Sequence, residues 1–223
     1  MKNANEKDET EGVLGFIQKY RKQIFICAGV VLLALIGSLI GLSVRDASRR
    51  RAIDAVENLR VRYEEMELVI GVEFMLHELG VLLADIENFA RRHSGYPGAR
   101  AWTLLASVHS RREEWPEAER AWAEAARTGP RTHLAPRAWF NAAIAAEEQG
   151  RTEEAIEFYA SSVAAPSGFP DASRAQFSIG RLREYLGDTA AAIEAYRAVI
   201  SGWPHDTEWV SLARSRIITL ETR

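Results

Sequence analysis

Hydrophobic residues recur along much of this chain at the spacing of one face of an α-helix. Between residues 52 and 70 the apolar positions step by three and four, and between residues 75 and 89 they do so again. This stepping puts side chains on a single stripe of a helix. It predicts two amphipathic helices with a break near Gly71, which make a helix pair over residues 45–97. The same stepping returns near the end and predicts a capping helix over residues 206–223.

An uncharged run of 21 residues, 24–44, precedes these helices. As an α-helix it would be about 31 Å long, which matches the hydrocarbon core of a bilayer. A cleaved signal peptide is disfavoured, because the run is long and no A-x-A-like site follows it. The pattern therefore predicts a transmembrane helix after a polar N-terminal tail over residues 1–23.

Between the helix pair and the capping helix, the sequence repeats with a period of 37 residues. Five columns of like residues keep this interval. They are Arg100, Arg137 and Arg174; Trp102 and Trp139; Ala106, Ala143 and Gly180; Ala118, Ala155 and Ala192; Trp122, Tyr159 and Tyr196. Self-similarity at a fixed period of 20–50 residues indicates stacked structural units. Three such units are predicted over residues 98–205.

Each unit is predicted to be a hairpin of two antiparallel helices. The columns of small residues let the two helices approach closely, and the large aromatic column is expected to fill the space between hairpins. Gly150 and Gly187 end their first helices, as glycine commonly does. In the first unit the same position is Glu113.

These columns resemble the tetratricopeptide repeat family. The stretch "WTLLA", with Trp102, Leu105 and Ala106, is similar to the family's opening signature, and the second and third units match at the corresponding columns. The resemblance implies an all-α solenoid of helical hairpins. Three residues more than the family's usual period of about 34 fit into the turns between repeats.

The resemblance also implies a peptide-binding groove lined by the first helix of every unit. Carried over column by column, its residues are Arg100, Thr103, Ser107 and Ser110; Arg137, Phe140, Ile144 and Glu147; Arg174, Phe177, Arg181 and Glu184. The Lys and Asn of the family's chaperone-tail clamp are absent from these columns. The remaining ladder of arginines beside apolar side chains suits a polypeptide partner. The alternative is that the phenylalanines pack against the capping helix and the arginines are solvated.

Composition and motifs give no sign of catalysis or of nucleic-acid binding. The formal net charge is -3, whereas a nucleic-acid-binding domain is expected to have a basic face. No nucleophile elbow, phosphate loop or paired zinc-binding histidines occur, so neither an enzyme nor a cofactor is predicted. The glutamates Glu153, Glu154 and Glu157 lie between the buried columns of the second unit and are expected to face solvent.

Small residues also line one face of the predicted transmembrane helix. Gly37 and Gly41 form a G-x-x-x-G pattern, extended by Ala34 and Ser38. Such faces let two membrane helices approach closely, which would give a homodimer formed through this helix; the alternative is that glycine is simply common in membrane helices.

The layout as a whole resembles the membrane-anchored ancillary translocon-subunit family of bacterial inner membranes, on the stretch "FIQKYRKQIF". The resemblance implies a non-enzymatic scaffold or chaperone-like adaptor with its repeats in the periplasm. Flanking charges favour the opposite orientation, with six basic residues after the span and four before it. The alternatives are an organiser that assembles a membrane complex through its helix, and a coordinator of cell division or outer-membrane assembly.

Overall fold

The computed structural model describes residues 2–68, 72–165 and 168–222 of the chain. The regular secondary structure of these residues consists of helices throughout. In chain order they are α1 (Lys2–Leu68), α2 (Val72–Arg92), α3 (Gly95–Arg111), α4 (Trp115–Thr128), α5 (Leu134–Glu148), α6 (Thr152–Val163), α7 (Ala172–Tyr185), α8 (Thr189–Gly202) and α9 (Thr207–Glu221). The all-α prediction is confirmed. The predicted break near Gly71 lies outside the described residues.

The chain divides into two compact units, residues 1–51 and 52–223, and α1 contributes to both. The predicted divisions at residues 23 and 44 therefore fall inside one helix. From Val30 to Val44 the side chains of α1 are exposed. Within the described residues, α1 is long and apolar enough to cross a membrane. Length and hydropathy alone do not distinguish such a helix from a signal sequence near the N-terminus.

The second unit is built from consecutive antiparallel helices. Hairpins α3–α4, α5–α6 and α7–α8 follow each other, with α2 packed against α3 and α9 packed against α8. The last part of α1 joins the same core, because Val56 and Tyr63 are buried with Leu82 and Ile86 of α2. The end of α1 and α2 thus cover the apolar face of the first hairpin, and α9 covers that of the last hairpin.

Small residues face the partner helix inside every hairpin. Ala106 and Ala143 are fully buried, and so are the three alanines of the second-helix column, Ala118, Ala155 and Ala192. In the third hairpin, a Cβ added to Gly180 would lie 2.6 Å from the ring of Tyr196. Side chains at this column are small because the partner helix occupies the space.

The aromatic column contacts its own hairpin as well as the next helix. Trp122, Tyr159 and Tyr196 each donate a hydrogen bond to a first-helix residue 12 positions earlier. Tyr159 also contacts Ser178 of α7, and Tyr196 contacts Arg216 of α9. The small residues of the first helix leave room for the ring, and the polar tip of the ring then needs a partner as it is buried. Repeat spacing shows that three residues share an environment, but it does not show which neighbour provides it.

The turns inside the hairpins share one backbone conformation. Gly150 and Gly187 have φ angles of 71° and 79°, in the left-handed region that glycine adopts freely. Glu113, 37 residues before Gly150, adopts the same conformation at φ 59°. The turn geometry is therefore maintained in the first hairpin without the glycine.

Candidate functional site

The predicted groove residues lie on α3, α5 and α7, the first helices of the three hairpins. We call the surface that these helices form the first-helix groove. Two cavities open on it, and side chains from neighbouring hairpins line both of them. The predicted residues are not equivalent in these surroundings, since some line a cavity and others are buried or bonded to their own helix.

The first cavity, which we call the arginine cavity, has a volume of about 1050 Å³. It lies where α3, α5 and the turn before α7 meet. Its lining consists of Tyr96, Arg100, His133, Leu134, Arg137, Gly168, Phe169, Pro170 and Asp171. Two predicted arginines therefore share one cavity, together with aromatic rings and a carboxylate that the sequence pattern did not indicate.

The two arginines of this cavity have few partners. A guanidinium nitrogen of Arg100 lies 3.8 Å from a carboxylate oxygen of Glu57, which also binds Arg60 at the surface of α1. Arg137 is exposed and makes no ion pair with any described residue. The cavity thus presents a cationic group, Arg137, whose charge no described residue matches with an ion pair.

Phe140 and Arg174 lie between the two cavities. Phe140 is only 6% exposed and packs against the rings of Tyr159 and Phe169. The guanidinium carbon of Arg174 lies 5.1 Å from the centre of the Phe140 ring, an arrangement that attracts a cation to the face of the ring. Phe140 therefore belongs to the core beneath the groove surface, and the guanidinium group of Arg174 covers its ring.

The second cavity, which we call the aromatic cavity, has a volume of about 400 Å³. Apolar side chains from three helices meet in it: Ile144 of α5, Phe177 of α7 and Trp209 of α9. Charged and polar groups complete its lining, namely Glu147, Glu148, Tyr159, Arg174, Ser178 and Arg181. Phe177 stays half-buried because its ring packs against Tyr196 and Trp209, at 5.1 and 5.3 Å between centroids.

Glu147 connects two hairpins at this cavity. It accepts a hydrogen bond of 2.6 Å from the hydroxyl of Tyr159 in its own hairpin and forms an ion pair with Arg181 of the next one. Burial, together with the hydrogen bond to Glu147, raises the pKa of Tyr159 above its ordinary range. The hydroxyl therefore stays protonated and remains a donor.

The third hairpin repeats this arrangement with Glu184. Its carboxylate accepts from the hydroxyl of Tyr196 at 3.2 Å and from Nε of Arg216 on α9, also at 3.2 Å. Burial and the nearby Glu184 charge raise the pKa of Tyr196 to about 12. The groove column of Ser110, Glu147 and Glu184 is thus the acceptor column for the buried aromatic rings.

The predicted hydroxyl residues of the first hairpin bind backbone. Thr103 donates to the carbonyl of Ala99 at 2.8 Å, and Ser107 donates to that of Leu104 at 2.7 Å. Ser110 donates to the carbonyl of Ala106 and accepts from Nε1 of Trp122. In this geometry α3 offers few free polar groups to a ligand beyond Arg100.

Sequence reasoning missed several lining residues. Tyr96, His133 and Phe169 come from helix starts and turns, where no column of the repeat marks them. Trp209 belongs to the capping helix α9, and its ring packs against Phe177, in agreement with the alternative that the groove phenylalanines pack against this helix. A periodic pattern identifies the repeating positions and leaves out what the turns contribute.

The residues predicted for self-association lie in the first unit of the chain. Ala34, Gly37, Ser38 and Gly41 are exposed, and a Cβ added to either glycine would meet no atom within 4 Å. The glutamates of the second hairpin are also exposed, as expected, and Glu153 forms an ion pair with Arg183 at 3.1 Å.

Comparisons with known proteins find repeats of the predicted kind in this chain. A tetratricopeptide repeat family model matches residues 104–168 and 163–207. The chain is similar to a "TPR repeat-containing protein" of Treponema pallidum (strain Nichols), with 38% identity over 141 residues that cover 62% of this chain and 58% of the relative. A solved structure, the "TPR2AB-domain:pHSP90-complex of yeast Sti1", is 18% identical with a TM-score of 0.46, over 74% of this chain and 60% of that one. Residues 104–207 of this chain therefore match the tetratricopeptide repeat family.

Proposed function

We propose that this chain is a non-enzymatic scaffold that binds polypeptide partners in its first-helix groove. Stacked helical repeats present extended binding surfaces, and members of this family are typically protein-interaction modules. The observation that carries the proposal is the pairing of two cavities on one row of helices. One contains Arg137, which has no ion pair with a described residue, and the other contains half-buried aromatic rings.

Groove binding is tested by changing both cavities at once in the full chain. The variant Arg137→Glu/Phe177→Ala should remain helical by circular dichroism and lose the partners that co-purify with the wild type from detergent extracts. Arg214→Glu is the matched control, because Arg214 is an exposed arginine of α9 outside both cavities. If the double variant recovers the same partners in the same amounts, the groove assignment is wrong.

We also propose that residues 24–44 anchor the chain in a bacterial inner membrane, with the repeats in the periplasm. The uncharged run and the exposure of its side chains from Val30 to Val44 support anchoring. Such a placement would suit an adaptor at the translocon or in envelope assembly. Protease treatment of spheroplasts tests it. Digestion of residues 45–223 is the expected result, and protection would place the repeats in the cytoplasm.

A second candidate function is assembly of a membrane complex through α1. The open space beside Gly37 and Gly41 favours it, because a second helix could approach the backbone there. Gly37→Ile/Gly41→Ile should then abolish dimer crosslinking in the membrane. Leu35→Ile/Leu39→Ile, on a different face, is the control. Crosslinking that survives the glycine changes would exclude this helix as the contact.

A further inference from the structure

Charge balance distinguishes the two ends of the first-helix groove. In the arginine cavity, Arg100 and Arg137 face a single carboxylate, that of Asp171. Asp171 is exposed, and neither of these arginines forms an ion pair with it. A ligand that carries a carboxylate would gain a charge-assisted hydrogen bond to Arg137 without displacing any protein partner.

At the other end, the charges that line the aromatic cavity balance in number, with Glu147 and Glu148 against Arg174 and Arg181. Arg181 is paired with Glu147, which also accepts from Tyr159. Arg174 rests on the ring of Phe140. The apolar surface that this cavity offers to a ligand consists of the half-buried side chains of Ile144, Phe177 and Trp209. This end therefore favours a large apolar side chain.

The separation of the two anchoring residues on α5, Arg137 and Ile144, follows from the geometry of this helix. Arg137 lines the arginine cavity, and Ile144, on the same helix, lines the aromatic cavity. Seven residues of α-helix correspond to about 10 Å along the axis. An extended polypeptide advances about 3.3 Å per residue, so the same distance corresponds to about three residues of ligand.

We infer that the partner segment is an extended polypeptide with an Asp or Glu about three residues from a large apolar residue. The carboxylate binds Arg137 and Arg100, and the apolar side chain enters the aromatic cavity. This inference rests on the proposed groove function and specifies the chemistry of its ligand. Asp171 limits the affinity, because its charge repels the ligand carboxylate from the same cavity.

The probe is a display library of random nine-residue peptides with blocked termini, selected on the full chain in nonionic detergent micelles. Wild-type protein should enrich peptides with Asp or Glu three positions from Leu, Ile, Phe, Met or Trp. Blocked termini ensure that the acidic group is a side chain. Arg137→Glu should reverse the preference at the acidic position to Lys or Arg and should weaken the wild-type peptides at least about tenfold.

Two further variants separate the ends of the groove. Asp171→Asn should strengthen binding of the selected acidic peptides by about threefold, because it removes the opposing charge. Ile144→Ala should weaken the apolar preference and keep the acidic one. Arg214→Glu should leave both preferences unchanged, since it changes an exposed arginine outside the cavities. Circular dichroism of each variant confirms that its helices are intact.

The outcomes distinguish this inference from the function on which it rests. Peptides enriched without an acidic preference, but lost in Arg137→Glu/Phe177→Ala, would overturn the inference and leave the groove function standing. Enrichment that is equal on the wild type and on that double variant would overturn both. An acidic preference that Arg137→Glu fails to reverse would show that the carboxylate binds elsewhere, and it would also overturn the inference.

Discussion

The ring of Tyr196 occupies the space that a side chain on Gly180 would need. Carbon Cε1 of the ring lies 2.6 Å from the position of a glycine Cβ, and both residues are buried. In the α7–α8 hairpin the Tyr196 ring thus packs directly against the backbone of Gly180. In the first two hairpins the small residue of this column is an alanine, Ala106 or Ala143.

Enlarging Gly180 should therefore destabilise the protein. Gly180→Val is expected to lower the free energy of unfolding by about 2 kcal/mol, because the added methyl groups overpack the hairpin. Urea denaturation of the full chain in detergent, followed by circular dichroism, measures the change. Gly180→Val should cost less in a Tyr196→Ala background, where the ring is gone. Equal costs in both backgrounds would show that the strain does not come from the ring.

Replacing Glu113 by glycine should stabilise the first hairpin. Glu113 has a φ angle of 59°, where a residue with a Cβ is strained by about 1 kcal/mol or more. Glu113→Gly is expected to raise the free energy of unfolding by about 1 kcal/mol, in spite of the added freedom of the unfolded chain. Gly150→Ala is the reciprocal variant. A Cβ there meets no atom within 4 Å, so its expected loss of stability reports backbone strain alone.

Glu147 should matter more for stability than its ion-pair partner Arg181. Removing Arg181 breaks a pair in which the arginine side chain is 50% exposed, and such pairs contribute about 0.2–1 kcal/mol. Removing the Glu147 carboxylate also takes the acceptor from the buried Tyr159 hydroxyl, at a cost of about 1–3 kcal/mol. Thermal unfolding of Glu147→Leu and Arg181→Leu compares the two. A larger loss in Arg181→Leu would contradict this ranking.

Acid should weaken the contact between α2 and α4. Burial opposes ionisation of Glu87, but hydrogen bonds from Arg91 and Arg120 outweigh it and lower the pKa of the carboxyl. A carboxyl with a lowered folded pKa stabilises the protein above its unfolded pKa, about 4.3, and loses that contribution as the pH falls through the folded value. Between pH 7 and pH 3 the wild type should thus lose more stability than Glu87→Gln.

The control for this pH dependence is Glu194→Gln, at an exposed position of α8. It should show the same loss of stability on acidification as the wild type. If Glu87→Gln and Glu194→Gln behave alike between pH 7 and pH 3, the Arg91 and Arg120 contacts contribute nothing to the acid response.

The repeat period made most of the fold predictable. Ala106, Ala143 and Gly180 could be interpreted as helix contacts because only small residues recur there, and Gly150 could be interpreted as a turn because glycine adopts positive φ freely. The left-handed conformation of Glu113 can be predicted only from its position in the repeat, 37 residues before Gly150. Its residue type argues against it.

The site was predictable only in part. The columns identified Arg137 and Phe177 as groove residues, and both line cavities. They did not show that Phe140 is covered by Arg174, or that Glu147 accepts from a ring in its own hairpin. These contacts depend on side-chain direction and on neighbours brought by the turns, which a periodic pattern does not record.

The shared carboxylate of Glu147 has a consequence for the order in which the chain folds during synthesis. The ribosome releases α5 and α6 before α7, so the hairpin with Tyr159 and Glu147 is complete before Arg181 emerges. Until Arg181 is synthesised, the α5–α6 hairpin contains the half-buried Glu147 carboxylate without its ion-pair partner. Synthesis that stops between α6 and α7 would leave this hairpin weaker than the first one, whose acceptor, Ser110, is neutral.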